Sequence, residues 1–166
     1  MAAIADGSET AFGELLRRYE RPLAGFLRRQ VGDGDAEDLF QDVWLRVARG
    51  ASGFDRSRRF KPWVYRIALN EVRSWWARVR PERHVAVDAL EIPDPRTRSA
   101  SDAVDVERLL ATLPLEQREV MILRYQLDLS EAEIAEVLGV PRGTVKSRAH
   151  AALASLSQHV RAERQH

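Results

Sequence analysis

A glycine between two short helical patterns, Gly139, places the strongest constraint on how this chain folds. Ser130 can cap the helix before it, and Gly139 can adopt the left-handed backbone conformation that ends that helix. The small side chain of Ala135 lets a second helix, which starts near Arg142, cross the first one closely. The contact is expected to bury Ile134, Leu138, Val140 and Val145. Residues 130–154, SEAEIAEVLGVPRGTVKSRAHAALA, therefore predict a helix-turn-helix.

The second helix of this motif, expected to end near Val160, has an apolar side and a polar side on the helical wheel. The side expected to face the core consists of Val145, Ala149, Ala152 and Leu156. The opposite side carries Ser147 and His150 and is flanked by Arg142, Lys146 and Arg148. Cations suit DNA phosphates and short polar groups reach base edges, so this pattern favours DNA binding. Some helix-turn-helix units bind only proteins, and the pattern leaves that alternative open.

Apolar residues also recur at helical spacing along residues 8–80, where we predict four helices. Ser8 caps the first helix, and Pro22 lies in the first turn of the second. Gly32–Asp35 form a turn before the third helix. A loop rich in Gly and Ser then leads to a long fourth helix over residues 60–80.

The long helix, FKPWVYRIALNEVRSWWARVR, combines a basic stripe with tryptophan. The stripe consists of Arg66, Asn70, Arg73 and Arg80, and it contains no acidic residue. Trp75 and Trp76 lie beside it, and because they are adjacent we expect at least one to be exposed. The residues expected in the core are Phe60, Trp63, Val64, Ile67 and Ala68. Aromatic rings beside Arg groups can stack on unpaired bases and hold phosphates, although a solvated amphipathic helix would show the same pattern.

The segment 81–100 contains three prolines and few large apolar residues, which predicts a flexible linker. Helices are expected again at Asp102–Leu113 and from Pro114 to near Gln126. No segment alternates as a strand would. The chain is therefore predicted to be all-α, with two small helical domains, 1–80 and 101–166, joined by that linker.

Charge and composition narrow the functional classes. Residues 1–80 carry 15 basic and 11 acidic side chains, whereas residues 114–166 carry seven of each, so basic surface is concentrated in the first half. Cysteine is absent and the four histidines lack metal-ligand spacing, so we predict neither a metal site nor a cofactor. No phosphate-binding loop or nucleophile motif indicates an enzyme. Without a signal peptide pattern or an apolar stretch of about 20 residues, we expect a cytoplasmic protein with no membrane insertion.

Taken together and in order, these segments resemble the extracytoplasmic-function (ECF) sigma factors of bacterial RNA polymerase. The resemblance is carried by residues 11–29, 35–47 and 60–80 in the first half and by residues 113–153 in the second. It implies a sigma-two-like domain, a sigma-four-like domain and a non-enzymatic role in finding and opening promoters. The implied partners are core RNA polymerase, through its beta prime clamp helices and beta flap, and promoter DNA, both duplex and single-stranded. An anti-sigma factor is a further partner that the sequence leaves open.

The resemblance also implies roles for individual residues. Docking on core polymerase would involve Asp38, Leu39, Gln41 and Asp42. Capture of the melted −10 element would involve Phe54, Arg56, Arg58, Arg59, Arg66, Asn70, Arg73, Trp75 and Trp76. Recognition of the −35 element would involve Arg142, Thr144, Lys146, Ser147, Arg148 and His150.

Two residues depart from the family pattern, Ala149 where a large apolar residue is frequent and Ala151 where many members have Arg. The second change removes a contact to phosphate or base and predicts weaker −35 recognition. Two non-enzymatic alternatives remain open at this point. One is a freestanding DNA-binding regulator, which would explain the helix-turn-helix but not the Trp-rich helix. The other is a pure interaction module, such as a decoy for an anti-sigma factor.

Overall fold

The computed structural model describes residues 8–55, 57–79, 106, 108–110 and 112–163. The regular secondary structure of these residues is entirely helical, which confirms the predicted all-α class. The chain divides into two units, one within Met1–Pro81 and one within Glu82–His166. The predicted linker, 81–100, lies outside the described residues. None of the described helices has both the length and the apolar character that crossing a bilayer requires.

The described residues of the first unit form a bundle of three helices. They are α1 (Glu9–Val31), α2 (Asp33–Gly50) and α3 (Phe60–Val79), with a short 3₁₀ turn at Ala51–Gly53 after α2. Ser8 caps α1 as predicted, because its hydroxyl accepts a hydrogen bond from the Ala11 amide. The bundle places α2 and α3 side by side, and these helices carry the predicted polymerase and DNA surfaces.

The predicted helix break before Pro22 is wrong, since α1 continues through this residue. A proline inside a helix costs about 3 kcal/mol, because it removes one backbone hydrogen bond and its ring crowds the preceding turn. The three residues that the next turn buries are Leu23, Phe26 and Leu27, each no more than 1% exposed. Burying such side chains contributes about 1.5–3 kcal/mol each, so core packing outweighs the defect.

The predicted four-residue turn at Gly32–Asp35 is also wrong, because Gly32 alone separates α1 from α2. Gly32 has φ 86°, a value that favours glycine, and its amide donates to the Arg28 carbonyl oxygen at 2.9 Å. Asp33 and Asp35 instead lie in the first turn of α2, where their charges favour the positive end of the helix dipole.

The core of the first unit uses a wider face of α3 than predicted. Val64 and Ala68 are fully buried as expected, whereas the expected core residues Phe60, Trp63 and Ile67 are only half-buried. The sequence interpretation missed Tyr65, Leu69 and Val72, which are buried as well. Because α3 packs against both α1 and α2, its buried surface is broader than a single stripe.

The second unit contains the predicted helix-turn-helix. From Leu115 onward its described elements are α4 (Leu115–Met121), a π-helical turn (Ile122–Gln126), α5 (Glu131–Leu138) and α6 (Arg142–Glu163). Ser130 and Glu133 form a reciprocal capping box at the start of α5, and Gly139 ends it with φ 69° in the left-handed region. The amides of Gly139 and Val140 both donate to the carbonyl oxygen of Ala135. These local contacts confirm the motif and its turn.

The contact between α5 and α6 is also as predicted at its centre. Ile134, Val145 and Ala152 are fully buried, and Ala149 is 6% exposed. Around them lie half-buried side chains, namely Leu138, Val140 and Leu156. The orientation of α6 is therefore fixed, and its opposite side faces outward.

Arg118 fastens the segment just before α4 to that helix. Its guanidinium is buried and donates to the carbonyl oxygens of Leu110 and Leu113, at 2.8 and 2.9 Å. Burial lowers the pKa of Arg118 from its ordinary value. Half of the residues of the helix predicted at Asp102–Leu113 lie outside the described residues. The described backbone just before α4 is thus held by a charged side chain and by the buried Leu110 and Leu113.

Candidate nucleic-acid and polymerase-binding surfaces

The basic stripe of α3 is exposed along the outer face of the helix. Arg66, Asn70 and Arg73 all face solvent, and Arg80 lies outside the described residues. Glu71 points away from the stripe and is buried at 5% exposure, where Arg46 of α2 forms an ion pair with it. The acidic side chain of this part of α3 is therefore withdrawn from the stripe, in which Arg66 and Arg73 are exposed cations.

Trp75 and Trp76 form a pair beside the stripe. Their rings meet edge to face with centroids 4.8 Å apart, and both residues are half-buried. We expected at least one of them to be exposed, whereas the two rings share a partly open position. Part of each indole remains accessible, which is the geometry that stacking on an unpaired base requires.

The loop before α3 carries a second aromatic group. Phe54 is half-buried and lies against Trp63, with ring centroids 4.7 Å apart, and Phe60 is 6.5 Å away. Gly50 allows this packing, because a Cβ atom there would lie 3.0 Å from the Trp63 ring. Trp63 therefore supports the loop, a role that the simple core interpretation did not include.

Asp55 organises the same loop. Its carboxylate accepts hydrogen bonds from the Ser57 amide at 3.0 Å and the Ser57 hydroxyl at 2.7 Å, and Arg58 lies 3.4 Å from its other oxygen. The Ser57 hydrogen bonds, followed by the nearby Arg58 charge, lower the pKa of Asp55. Arg58 and Arg59 are exposed at the end of the loop, and Arg56 lies outside the described residues. The loop thus presents cations from a locally ordered turn.

The docking residues predicted on α2 divide into two groups. Asp38, Gln41 and Asp42 are exposed on one face, whereas Leu39 is 2% exposed and lies in the core. Leu39 therefore supports the helix from beneath, and the expectation that it contacts a partner is corrected here. Leu45 was missed: it is 52% exposed and lies one turn beyond Gln41 and Asp42 on the same face.

The predicted −35 residues on the outer side of α6 differ in their exposure to solvent. Lys146, Ser147 and His150 are exposed, and Thr144 is half-buried. The Ser147 hydroxyl also donates a hydrogen bond to the Thr144 carbonyl oxygen at 3.0 Å. Its proton is therefore engaged within the helix, which leaves the oxygen as an acceptor for a base.

The arginines flanking this side are engaged by acidic residues of other elements. Arg148 pairs with Glu116 of α4 at 2.5 Å, and Arg142 lies 3.9 Å from Glu131 of α5. Glu131 also pairs with Arg124 at 3.2 Å. The sequence interpretation missed these carboxylates, because the helical wheel of α6 contains no information about the neighbouring helices.

Comparison with protein families gives a match for each half of the chain. The model of Sigma-70 region 2 matches residues 15–82, and the model of Sigma-70, region 4 matches residues 103–156. The two matches fall in the two units and include all three candidate surfaces.

Relatives along almost the whole chain include three named bacterial proteins. The ECF RNA polymerase sigma factor SigM of Mycobacterium tuberculosis is 33% identical, covering 95% of this chain and 81% of its own length. RNA polymerase sigma factor NccH of Alcaligenes xylosoxydans xylosoxydans is 31% identical, with 92% and 88% covered. The ECF RNA polymerase sigma-E factor of Escherichia coli K12 is also 31% identical, with 87% and 84% covered.

Two solved structures are similar in fold. CnrH, solved in complex with the cytosolic domain of CnrY, has a TM-score of 0.78 at 28% identity and covers 97% of this chain and 94% of its own. The sigma factor RpoE of Bartonella quintana, solved in complex with the anti-sigma factor NepR, has a TM-score of 0.72 at 25% identity, with 91% and 97% covered.

Proposed function

We propose residue-level roles for promoter recognition from the premise that this chain belongs to the sigma-70 family, as an ECF RNA polymerase sigma factor. As such it acts with core polymerase on promoter DNA. A freestanding regulator would leave the region 2 match unexplained. We assign residues 1–80 to polymerase docking, −10 recognition and DNA melting, residues 81–100 to a linker, and residues 101–166 to −35 recognition. In this proposal the chain works in the cytoplasm beside the polymerase, and catalysis of RNA synthesis belongs to the core enzyme.

The α3 surface carries the proposal for the melted strand. Arg66, Asn70 and Arg73 are exposed and give a track for phosphates, and the Trp75–Trp76 pair offers stacking beside it. Extruding a base from duplex costs a few kcal/mol, which stacking and pocket contacts must offset. This combination of an exposed cationic stripe and a partly open tryptophan pair is the single observation on which the melting role rests.

The loop at Phe54–Arg59 is assigned to the flipped base. Phe54 leans on Trp63, and Asp55 orders the turn that carries Arg58 and Arg59. An ordered loop loses little conformational entropy on binding, which favours capture of an extruded base over an unstructured segment.

The exposed face of α2 is assigned to the clamp helices of the polymerase. Asp38, Gln41 and Asp42 provide acidic and amide groups, and the exposed Leu45 adds an apolar contact on the same face. Leu39 holds this face in place from the core. An interface of this composition, apolar with a charged rim, is typical of specific protein contacts.

The outer side of α6 is assigned to the −35 element, with contacts from Lys146, Ser147 and His150. An anti-sigma factor belongs to the same proposal as a further partner, because the relative RpoE was solved with the anti-sigma factor NepR. Such a partner would act on the polymerase- or DNA-binding surfaces of the two units.

The melting role is tested by replacing Trp75 and Trp76 together with Ala and measuring run-off transcription. Stacking contributes about 1–3 kcal/mol per base, so transcription from duplex promoters should fall by at least about tenfold. Transcription from a premelted template should be retained. The matched control replaces both residues with Phe, which keeps an aromatic face and should restore most activity. Equal loss on both templates would contradict the proposal.

The docking role is tested by reversing charge at Asp38 and Asp42 with Lys. Both substitutions place a cation on the proposed interface and should reduce co-purification with core polymerase. The control replaces Glu14 and Glu20 together with Lys, which makes the same charge change at two exposed positions of α1, outside the proposed face of α2. Undiminished co-purification of the double variant, or an equal loss with the control, would remove α2 from the proposal.

A further inference from the structure

We infer that Glu116 competes with the DNA backbone for Arg148 and thereby weakens −35 binding, an inference that rests on the proposed role of α6. The carboxylate of Glu116 lies 2.5 Å from the guanidinium of Arg148. Glu116 belongs to α4 and Arg148 to α6, so the pair joins two helices of the second unit. The guanidinium is thus engaged before DNA arrives.

The position of the pair makes the competition direct. A cleft of about 390 Å³ runs beside the DNA-facing side of α6 and is lined by Ser147, Arg148 and Ala151 on α6 and by residues 114–117 at the start of α4. The side chain of Glu116 is 64% exposed, and that of Arg148 is 21% exposed. A phosphate that approaches Ser147 and Ala151 therefore meets the cation and the carboxylate together.

The small size of Ala151 strengthens this effect. A longer basic side chain at this position would extend into the cleft and offset the Glu116 charge, but the methyl group of Ala151 leaves the carboxylate open to the incoming strand. To contact the strand, Arg148 must leave Glu116, and the phosphate must approach an anion. The lost ion pair and the repulsion between phosphate and carboxylate both raise the free energy of the DNA-bound state. Removal of the Glu116 charge should therefore tighten binding.

A purely local role for Glu116 has to be separated from this one. An acidic residue in the first turn of a helix also stabilises that helix through its dipole. The local role predicts a change in thermal stability and no effect on DNA affinity. Competition predicts a change in affinity that depends on Arg148, so the double variant distinguishes the two.

The experiment measures the affinity of the full chain for a fluorescent random-sequence duplex by anisotropy, from about 50 to about 200 mM salt. Glu116→Gln is expected to bind about two- to fivefold tighter, the range of an exposed ion pair. Its plot of log affinity against log salt should steepen by up to about 0.9, the contribution of one phosphate. In the Arg148→Ala background the same substitution should gain less, because only the repulsion between Glu116 and the phosphate is left to relieve, and an equal gain in both backgrounds would overturn the competition for Arg148. Circular dichroism melting checks that each variant is folded.

Glu163→Gln is the control for net charge, since it removes one acidic group from the same helix as Arg148. Fifteen residues separate the two, or about 22 Å along α6, which is about twice the screening length at 0.1 M salt. Its affinity should be unchanged, and a gain equal to that of Glu116→Gln would overturn the local competition.

Lys146→Ala separates failure of the inference from failure of the proposed function. If Lys146→Ala weakens binding but Glu116→Gln does not tighten it, α6 contacts DNA and the competition is refuted. If Lys146→Ala and Arg148→Ala both leave affinity and salt dependence unchanged, α6 does not bind DNA, and the inference falls with the proposed function.

Discussion

Two glycines of the helix-turn-helix, Gly139 and Gly143, should respond in opposite directions to the same substitution. A Cβ atom at either position would meet no atom within 4 Å, so neither change causes a clash. Gly139 has φ 69°, whereas Gly143 lies inside α6 with helical backbone. The difference between the two variants therefore reports backbone conformation alone.

The magnitudes follow from the backbone. An alanine in the left-handed region costs about 1–2 kcal/mol, so Gly139→Ala should destabilise the second unit by that amount. Alanine replaces glycine in a helix with a gain of about 0.5–1 kcal/mol, so Gly143→Ala should stabilise it. For a unit of this size each kcal/mol corresponds to a shift of about 4–8 °C in the melting temperature. Gly139→Asn should lose less than Gly139→Ala, because asparagine enters the left-handed region more readily.

The chain contains a convenient probe for each unit. All four tryptophans lie between Trp44 and Trp76, within the first unit, so fluorescence reports that unit. Unfolding of the second unit is monitored by circular dichroism, as the loss of helical signal that occurs without a change in tryptophan fluorescence. Gly139→Ala should shift this part and leave the tryptophan transition in place. If Gly139→Ala and Gly143→Ala changed stability in the same direction, the assignment of the cost to the left-handed turn would be refuted.

Two further predictions concern the first unit. Arg46→Ala leaves the buried carboxylate of Glu71 without its cation, so the unfolding free energy measured by tryptophan fluorescence should fall by about 1–3 kcal/mol. Adding Glu71→Gln removes the buried charge and should recover part of this loss. If the double variant recovers nothing, the unpaired Glu71 carboxylate is not the cause. Burial, and to a smaller extent the nearby Tyr19, raise the pKa of Tyr65 from 10.0 to about 12. The stability that this shift contributes should be fully present below pH 10 and be lost as pH rises towards 12. Tyr65→Phe should remove this alkaline loss, and an unchanged alkaline melting profile would show that Tyr65 is not its source.

The parts of the fold that sequence predicted correctly depend on local chemistry. Ser130, Glu133 and Gly139 lie within ten residues, and their cap and turn contacts require nothing from the rest of the chain. Pro22 was misinterpreted for the opposite reason. Its local cost is real, but the buried side chains that outweigh it pack against helices that are distant in sequence.

The candidate surfaces show the same division. Helical periodicity predicted that Arg66, Asn70 and Arg73 share an exposed face. It gave no indication that Arg148 is paired with Glu116, because 32 residues and several elements separate the two. An amphipathic pattern identifies which side of a helix faces outward. It does not show whether a charged residue at the edge of that side forms an ion pair with another helix.

If the second unit binds DNA weakly, as proposed, promoter recognition remains possible because the polymerase supplies proximity. Residues 114–166 carry as many acidic as basic side chains, and Arg142 and Arg148 both lie against carboxylates. If polymerase holds this unit near DNA at an effective concentration in the millimolar range, a dissociation constant of about 1 mM already gives half occupancy. The same affinity would leave the free chain essentially unbound at micromolar concentrations. A twofold to fivefold gain from Glu116→Gln should therefore increase occupancy of the free chain on non-promoter duplex in proportion, while occupancy of the tethered unit, which starts at about one half, should rise by less than twofold.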